Sequence, residues 1–394
     1  MSNSAINFDN ISGSKIPKSL VTTKGDIITA TGNATPARQG VGNNGQIIVA
    51  DDNLTNGLGY KDPAFRNWVM NGNFEVAQRG TSFTNPAHFV YVADRWKVMN
   101  NSEGATFPSS IVLTQEKLTS YYLRSSWNGE LSNIQTYSRH GLLQYIEHGT
   151  KFLAGLNKKV TVTFYARSSI ADKRLGVLIY QAYGTGGSPS SITVLTGNTF
   201  TLSSSWEKYS YTFATNTLSS TVFGTNDDNY LLLHFMYVWG SGYSSYMNTD
   251  TSESFVGSGN IDLTQVALYA GDVAYPFEPV PYDIELLRCM RYCQRFNYNE
   301  MRMRAYLIST NEIHFCYPIS EMRIKPTASL IGTANTDYLV YATNGNPQSG
   351  FTFDINSYTN KKMCYIIATK NSHGLSDAFL MISTNGSALF DADF

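Results

Sequence analysis

Residues able to carry a reaction are scattered through this sequence rather than grouped. His88, His140, His148, His234, His314 and His373 show neither the HExxH nor the HxH spacing that would set two imidazoles on one metal. No GxSxG turn presents a nucleophilic serine. The glycine-rich Gly40-Val41-Gly42-Asn43-Asn44-Gly45 lacks the following lysine and the helical pattern of a phosphate cradle. Glycosidic hydrolysis needs only two carboxylates brought together by folding, and Glu130, Glu147, Asp227 and Asp228 qualify by residue type. Among 30 acidic residues that type alone selects none, so no catalytic residue is assigned.

Binding without reaction asks for a different mixture: aromatic faces for the apolar side of a sugar ring, and amide, carboxylate and guanidinium groups for its hydroxyls. Three stretches have it. They are Tyr180-Gln181-Ala182-Tyr183, then Trp239-Gly240-Ser241-Gly242-Tyr243-Ser244-Ser245-Tyr246, and the group Tyr121, Tyr122 and Trp127. The candidate ligand-binding residues are therefore Tyr180, Tyr183, Trp239, Tyr243, Tyr246, Tyr122 and Trp127. The competing reading is that these rings cover a core or meet other copies of the chain. Trp96 and Trp206, inside strand patterns, are read as core.

The elements that must position these groups are mostly strands. In Val160-Thr161-Val162-Thr163-Phe164-Tyr165-Ala166 the apolar residues alternate with polar ones, which gives a strand with one face in a core. Leu175–Tyr180 and Tyr209–Phe213 behave likewise, and Leu231–Val238 is apolar on both faces, as a central strand would be. Asn71-Gly72, after the apolar Trp68-Val69-Met70, predicts a tight reversal through residues that tolerate positive φ. Polar, glycine-rich turns separate the strands at the spacing of a sandwich, and no solenoid-length repeat is visible. Pro276, Pro279 and Pro281 mark a boundary, after which Tyr282–Phe296 has the best helical pattern in the chain. Leu286, Met290 and Cys293 form one stripe of that helix, with Ile284 and Leu287 beside it. In a trimer this wide stripe would meet its copies on the axis, and in a monomer it would dock on a sheet.

Composition agrees with a β-rich chain of more than one domain. Aromatics make up 13% of 394 residues and charged residues only 15%, with 26 Tyr and 31 Gly for pleats and turns. A net charge of −1 gives no electrostatic case for nucleic acid or an acidic membrane as partner. The N-terminal residues lack an apolar signal core, and the longest apolar run, Leu231–Trp239, is too short to span a bilayer, so no membrane insertion is expected and cytoplasmic synthesis is the plain reading. Cys289, Cys293, Cys316 and Cys364 form no CxxC pair and are read as reduced packing residues. Residues 1–64 are poor in large apolar side chains and rich in Gly, Thr and Asn, and cannot bury enough surface to order themselves alone.

Four motifs, in order, resemble a jelly-roll domain of the carbohydrate-binding-module type found in bacteriophage tail fibres. They are Asn67–Trp96, with its Ala93-Asp94-Arg95-Trp96 ending, then Lys158–Arg167, Trp206–Phe213 and Gly259–Tyr269. The run from Leu20 to Asp52 is similar to modules of phage-fibre N-terminal parts. The segment 277–296 resembles the junction after the jelly roll in phage tail proteins. Tyr317–Thr327 and the closing Leu389-Phe390-Asp391-Ala392-Asp393-Phe394 resemble their C-terminal domains. The resemblance implies a mainly β chain in four parts: a virion-attachment or fibre segment (1–64), a jelly-roll β-sandwich (65–280), a linking helix (281–297) and a C-terminal β-sandwich (298–394). It implies a homotrimeric tail fibre of the virion, assembled in the host cytoplasm, attached to other tail proteins through residues 1–64 and binding a host-surface glycan or protein without catalysis. A surface-polysaccharide depolymerase, and a purely structural head, collar or baseplate fibre, are the alternatives. No cofactor is expected beyond a structural calcium of the family, to which Glu75 and Asp262 match; the acidic residue expected next is Leu263 here.

Overall fold

The computed structural model of the chain describes residues 18–394, apart from 34, 43–45, 62–66, 109, 298–301, 343–345, 383–385 and 394. Residues 1–17, the end of the Gly42–Gly45 turn and the closing Phe394 thus lie outside the described residues. Two compact units make up the chain, 1–66 and 67–394. In the first, β1 (Ile27–Gly32) pairs with β2 (Thr35–Gln39), and β3 (Ile47–Ala50) pairs with β4 (Leu58–Lys61). None of its described residues is buried, and Val21, Ile28, Val41, Ile47, Ile48 and Leu54 are all exposed. These are two hairpins without a core.

The second unit begins with the sandwich. Its strands are β5 (Ser82–Thr84), β6 (Lys97–Asn101), β7 (Ser110–Lys117), β8 (Tyr121–Asn128), β9 (Arg139–Glu147), β10 (Lys159–Ser168), β11 (Arg174–Ala182), β12 (Thr193–Thr201), β13 (Glu207–Ala214), β14 (Tyr230–Trp239) and β15 (Gly259–Ala270). They form two antiparallel sheets, ordered β13-β10-β15-β8-β7-β5 and β12-β11-β14-β9-β6. The alternation in β10 works as expected: Val160, Val162, Phe164 and Ala166 are fully buried and meet Val177, Ile179, Leu233 and Phe235 of the facing sheet in one core. Each such side chain contributes roughly 1.5–3 kcal/mol by leaving water. β14 is central and covered on both faces. Leu231, Leu233 and Phe235 enter the core, while Met236 and Trp239 pack on the other side with Leu178, Tyr243 and Met247.

The apolar Trp68-Val69-Met70 is irregular backbone and bend rather than a strand, the reversal falls at Asn71-Gly72 as expected, and the segment is tied to β15 through Trp68 N to Leu268 O and Val266 N to Gly72 O. Asn71 takes a positive φ of 52°. Gly72 is needed for a different reason: a Cβ there would lie 2.0 Å from the Val266 carbonyl oxygen.

The helix after the prolines, α1 (Tyr282–Met290), is shorter than the pattern predicts, because Cys293–Phe296 is a strand, β16. The backbone of that segment finds better partners in a sheet: β16 pairs with Ser387–Asp391, and Ala392 N donates to Tyr292 O. Cys293 therefore leaves the helical stripe, and Ile284 and Leu287 are exposed, while Glu285 and Cys289 are buried. The Glu285 carboxylate accepts from the Asn71 amide at 2.6 Å and pairs with Arg288.

A second core, built on Phe315, Val340, Ile366, Leu380 and Phe390, lies between a three-stranded and a seven-stranded antiparallel arrangement of the remaining strands. Buried charges join it to the jelly roll. Arg95, 2% exposed, pairs with Asp393, donates to the Tyr145 carbonyl and lies 3.5 Å over the Tyr292 ring. Arg79 reaches Asp391 at 3.0 Å and Asp393 at 2.9 Å, and Gln78 bridges Asp94 to the Cys293 carbonyl. The four cysteines are free thiols.

Candidate functional site

Alternation decides what the outer face of the six-stranded sheet presents. In β10 the residues facing away from the core are Thr161, Thr163, Tyr165 and Arg167; in β8 they include Tyr122 and Arg124, and in β15 Asp262 and Thr264. Glu207 pairs with Ala166, so Trp206, one residue earlier, falls beside Arg167. The strand ladder changes partner in the middle of this face. The first half of β15 pairs with β8, while its second half bonds to the 67–72 segment. At the changeover the β10–β15 register slips between Thr163 and Tyr165, and Gln265 takes a φ of 50°.

A pocket of about 300 Å³ opens at that irregularity, lined by Leu118, Thr119, Ser120, Tyr122, Tyr165, Trp206, Thr264 and Gln265. The turn between β7 and β8 supplies one wall. Tyr122 and Trp206 meet edge to face at 5.4 Å, with Tyr122 nearly covered and Trp206 half-buried. Below them runs an ion ladder. Arg124 donates to both oxygens of Asp262, at 2.8 and 2.9 Å, and Arg167 Nε donates to Asp262 Oδ2 at 2.8 Å. The hydrogen bonds it donates to Asp262 hold the Arg124 guanidinium protonated well above its ordinary range. The Arg167 guanidinium lies 4.8 Å over Trp206 and 5.9 Å from Tyr122. Aromatic walls, hydroxyls, one amide and guanidinium donors can hold a polyhydroxylated ring.

Of the residues singled out from sequence, Tyr122 alone lines this pocket. Trp127 is core, stacked on Phe255 at 4.3 Å, because it shares the inward parity of Leu123 and Ser125. Trp239 is fully buried with its Nε1 donating to Thr251 O, and Tyr183 is buried with its hydroxyl 3.1 Å from Thr193 Oγ1. Tyr243 is buried under Arg139. All four side chains are buried rather than displayed on a surface. Tyr180 is half-buried on the outer side of the five-stranded sheet, and Tyr246 is 42% exposed. Trp206 corrects the expectation of a core residue in the other direction. Tyr165, Arg167, Arg124, Thr264 and Gln265 were missed; the alternation of Lys158–Arg167 already turns Tyr165 and Arg167 outward.

The calcium expectation meets a charge that is already used. Asp262 is 3% exposed and clamped by two arginines, which leaves no open carboxylate edge for a cation, and Glu75 is bonded to Asn73 at 3.1 Å. Among the described residues no group of three His, Cys, Asp or Glu side chains is placed to hold a metal. Two of the four carboxylates considered for hydrolysis, Glu147 and Asp228, are engaged elsewhere. Burial of Glu147 opposes its charge, but bonds from Arg291 and Tyr292 outweigh that and hold its carboxyl below the usual range. Asp228, partly desolvated, is held low in the same way by the Thr185 hydroxyl and amide. Glu130 is exposed and Asp227 is 71% exposed beside His148. No helix among the described residues is long and apolar enough to cross a membrane.

No protein-family model matches the chain, and no curated protein matches it. Solved structures do. The N-terminal cellulose-binding domain of β-1,4-glucanase C from Cellulomonas fimi is 13% identical, over 50% of this chain and 97% of that one, with a TM-score of 0.28. A putative sugar-binding protein from Bacteroides thetaiotaomicron is 12% identical, over 52% and 99%, with a TM-score of 0.31. The enzymatically active domain of tailspike protein 4 of bacteriophage CBA120 is 12% identical, over 53% of this chain and 22% of that one, with a TM-score of 0.24. At such scores none of them assigns a ligand.

Proposed function

We propose that this protein binds a carbohydrate, without catalysis, on the outer face of its six-stranded sheet. The observation that carries the reading is the pocket walled by Tyr122, Tyr165 and Trp206 and edged by Thr119, Ser120, Thr264 and Gln265. Sugar rings stack on such walls through their C–H faces and exchange hydrogen bonds with such edges. The finer reading is a homotrimeric tail fibre of a virion, whose residues 1–64 join it to other tail proteins and whose second unit meets a glycan on the host surface. Six exposed aliphatic residues on coreless hairpins support the need for partner chains in that first unit.

Glycan-array binding of the full chain tests the central reading. A defined set of oligosaccharides should bind, and Trp206→Ala should weaken binding about tenfold, near 1.4 kcal/mol, with the fold intact. Undiminished binding by Trp206→Ala would place the ligand elsewhere. New reducing ends released from the bound polysaccharide would overturn the non-catalytic part. Mass measurement in solution checks the trimer; a monomer at micromolar concentration would contradict it.

A further inference from the structure

The ion ladder under the pocket is unbalanced. Two guanidiniums, Arg124 and Arg167, share the single carboxylate of Asp262. Arg124 spends Nε and Nη2 on it. Arg167 spends only Nε, so its Nη1 and Nη2 have no hydrogen-bond partner among the described residues, and its side chain is 27% exposed. A second carboxylate, Glu116, acts on Arg124 and offsets its charge while accepting from the Thr114 hydroxyl at 3.0 Å, so what is left over is the donor pair of Arg167. Lys208, paired across the ladder with Tyr165, is a further positive charge, with its Nζ donating to the Ala274 and Tyr275 carbonyls at 3.4 Å.

Position makes this surplus useful. The Arg167 guanidinium lies 4.8 Å from the Trp206 ring and 5.9 Å from the Tyr122 ring, the two rings that meet at the pocket, and Asp262 fixes its Nε end. What remains free is the outer fork, two parallel N–H donors. That fork matches the two oxygens of a carboxylate, and it is pre-organised, so little side-chain entropy is lost when it is used. A purely neutral sugar would leave the fork to water. We propose that the glycan recognised here is acidic, with a ring-borne carboxylate seated on the Arg167 fork while the ring stacks against Trp206. This rests on the carbohydrate reading of the same pocket and adds the chemical class of the ligand.

The test uses the full chain and a panel of uronic-acid oligosaccharides, each beside its carboxyl-reduced, neutral derivative, measured by calorimetry at low and at moderate salt. The acidic member of a pair should bind about tenfold tighter, with the advantage shrinking as salt is raised. Arg167→Gln should erase the difference between acid and neutral forms. Arg167→Lys, which keeps the charge without the fork, should retain only part of it; because it preserves a cation beside Asp262, it also serves if the glutamine variant unfolds. Acetate at the same concentration should not displace the sugar; displacement would mean that a bare carboxylate is what is read, and would overturn the saccharide part. Equal binding of acid and neutral forms, both lost in Trp206→Ala, overturns the acidic class and leaves the carbohydrate reading standing. Binding of no saccharide overturns both.

Discussion

Two places in this molecule put arginines against aspartates, and burial makes them do opposite things. At the junction of the two cores, Arg79 and Arg95 meet the buried Asp94 and Asp393, and Arg79 also reaches Asp391, which is partly exposed. On the outer face, Arg124 and Arg167 meet Asp262 with their guanidiniums about a quarter exposed. In the first place carboxylates outnumber guanidiniums and the charges are spent on holding segments far apart in sequence. In the second a donor fork of Arg167 is left over. The same pair of residue types thus joins segments at the buried junction, while on the outer face it leaves donors open to solvent, where the proposed ligand would use them.

The largest expected effect strikes the clasp. Asp393→Ala strands Arg95 as an uncompensated buried charge and should cost about 3–5 kcal/mol in denaturant unfolding. If that substitution cost no more than removal of Asp262, the contrast between the two places would fail. Acid should act next, also on the interior. Burial pushes His140 and His234 down to about 3, with Lys173 adding to the first and Arg139 to the second. Unfolded, each would titrate near 6.5, so the unfolded chain binds more protons below that pH. The stability these histidines hold is complete above about 6.5 and is lost as pH falls towards 3, by about 1.4 kcal/mol per pH unit for each. Unfolding at pH 7 and at pH 5 should therefore differ by about 2 kcal/mol per histidine, and His234→Gln should shrink the difference.

Gly72→Ala comes third. Its Cβ would collide with the Val266 carbonyl at the irregularity that shapes the pocket, so it should destabilise by about 2–3 kcal/mol and weaken ligand binding as well. Wild-type binding in that variant would separate the pocket from the 67–72 segment. The smallest effect belongs to the exposed ladder. Asp262→Asn should cost about 1 kcal/mol or less, since both arginines reach solvent, and it should tighten rather than weaken binding of an acidic glycan by freeing a second guanidinium.

How much of this was legible beforehand follows from range. The sandwich was, because Val160, Val162, Phe164 and Ala166 declare their face by alternation within seven residues. The double burial of Leu231–Trp239 was readable in the same way. The pocket was not, because Tyr122, Tyr165 and Trp206 become neighbours only through the pairing of β8, β15, β10 and β13, which local pattern does not specify. Aromatic residues near glycine-rich loops stand out locally at Trp239, Tyr183 and Tyr243, and the fold buries those rings, Tyr243 against Trp239 at the end of the central strand and Tyr183 against Phe223. Cys293–Phe296 fitted a helix by its stripe, and pairing with Ser387–Asp391 overrode it. Asp262 carried a family expectation of calcium and is instead held by Arg124 and Arg167, residues that only the register brings beside it.

The most direct test of the account uses Trp206 itself. Of the five tryptophans Trp96, Trp127 and Trp239 are buried while Trp68, like Trp206, is half-buried, so iodide quenching of the full chain minus that of Trp206→Phe isolates the Trp206 signal from that of Trp68. Saturating glycan should shield that signal from iodide with the same midpoint that calorimetry gives for binding. Saturable binding that leaves Trp206 as open to iodide as before would contradict the assignment of this face as the site.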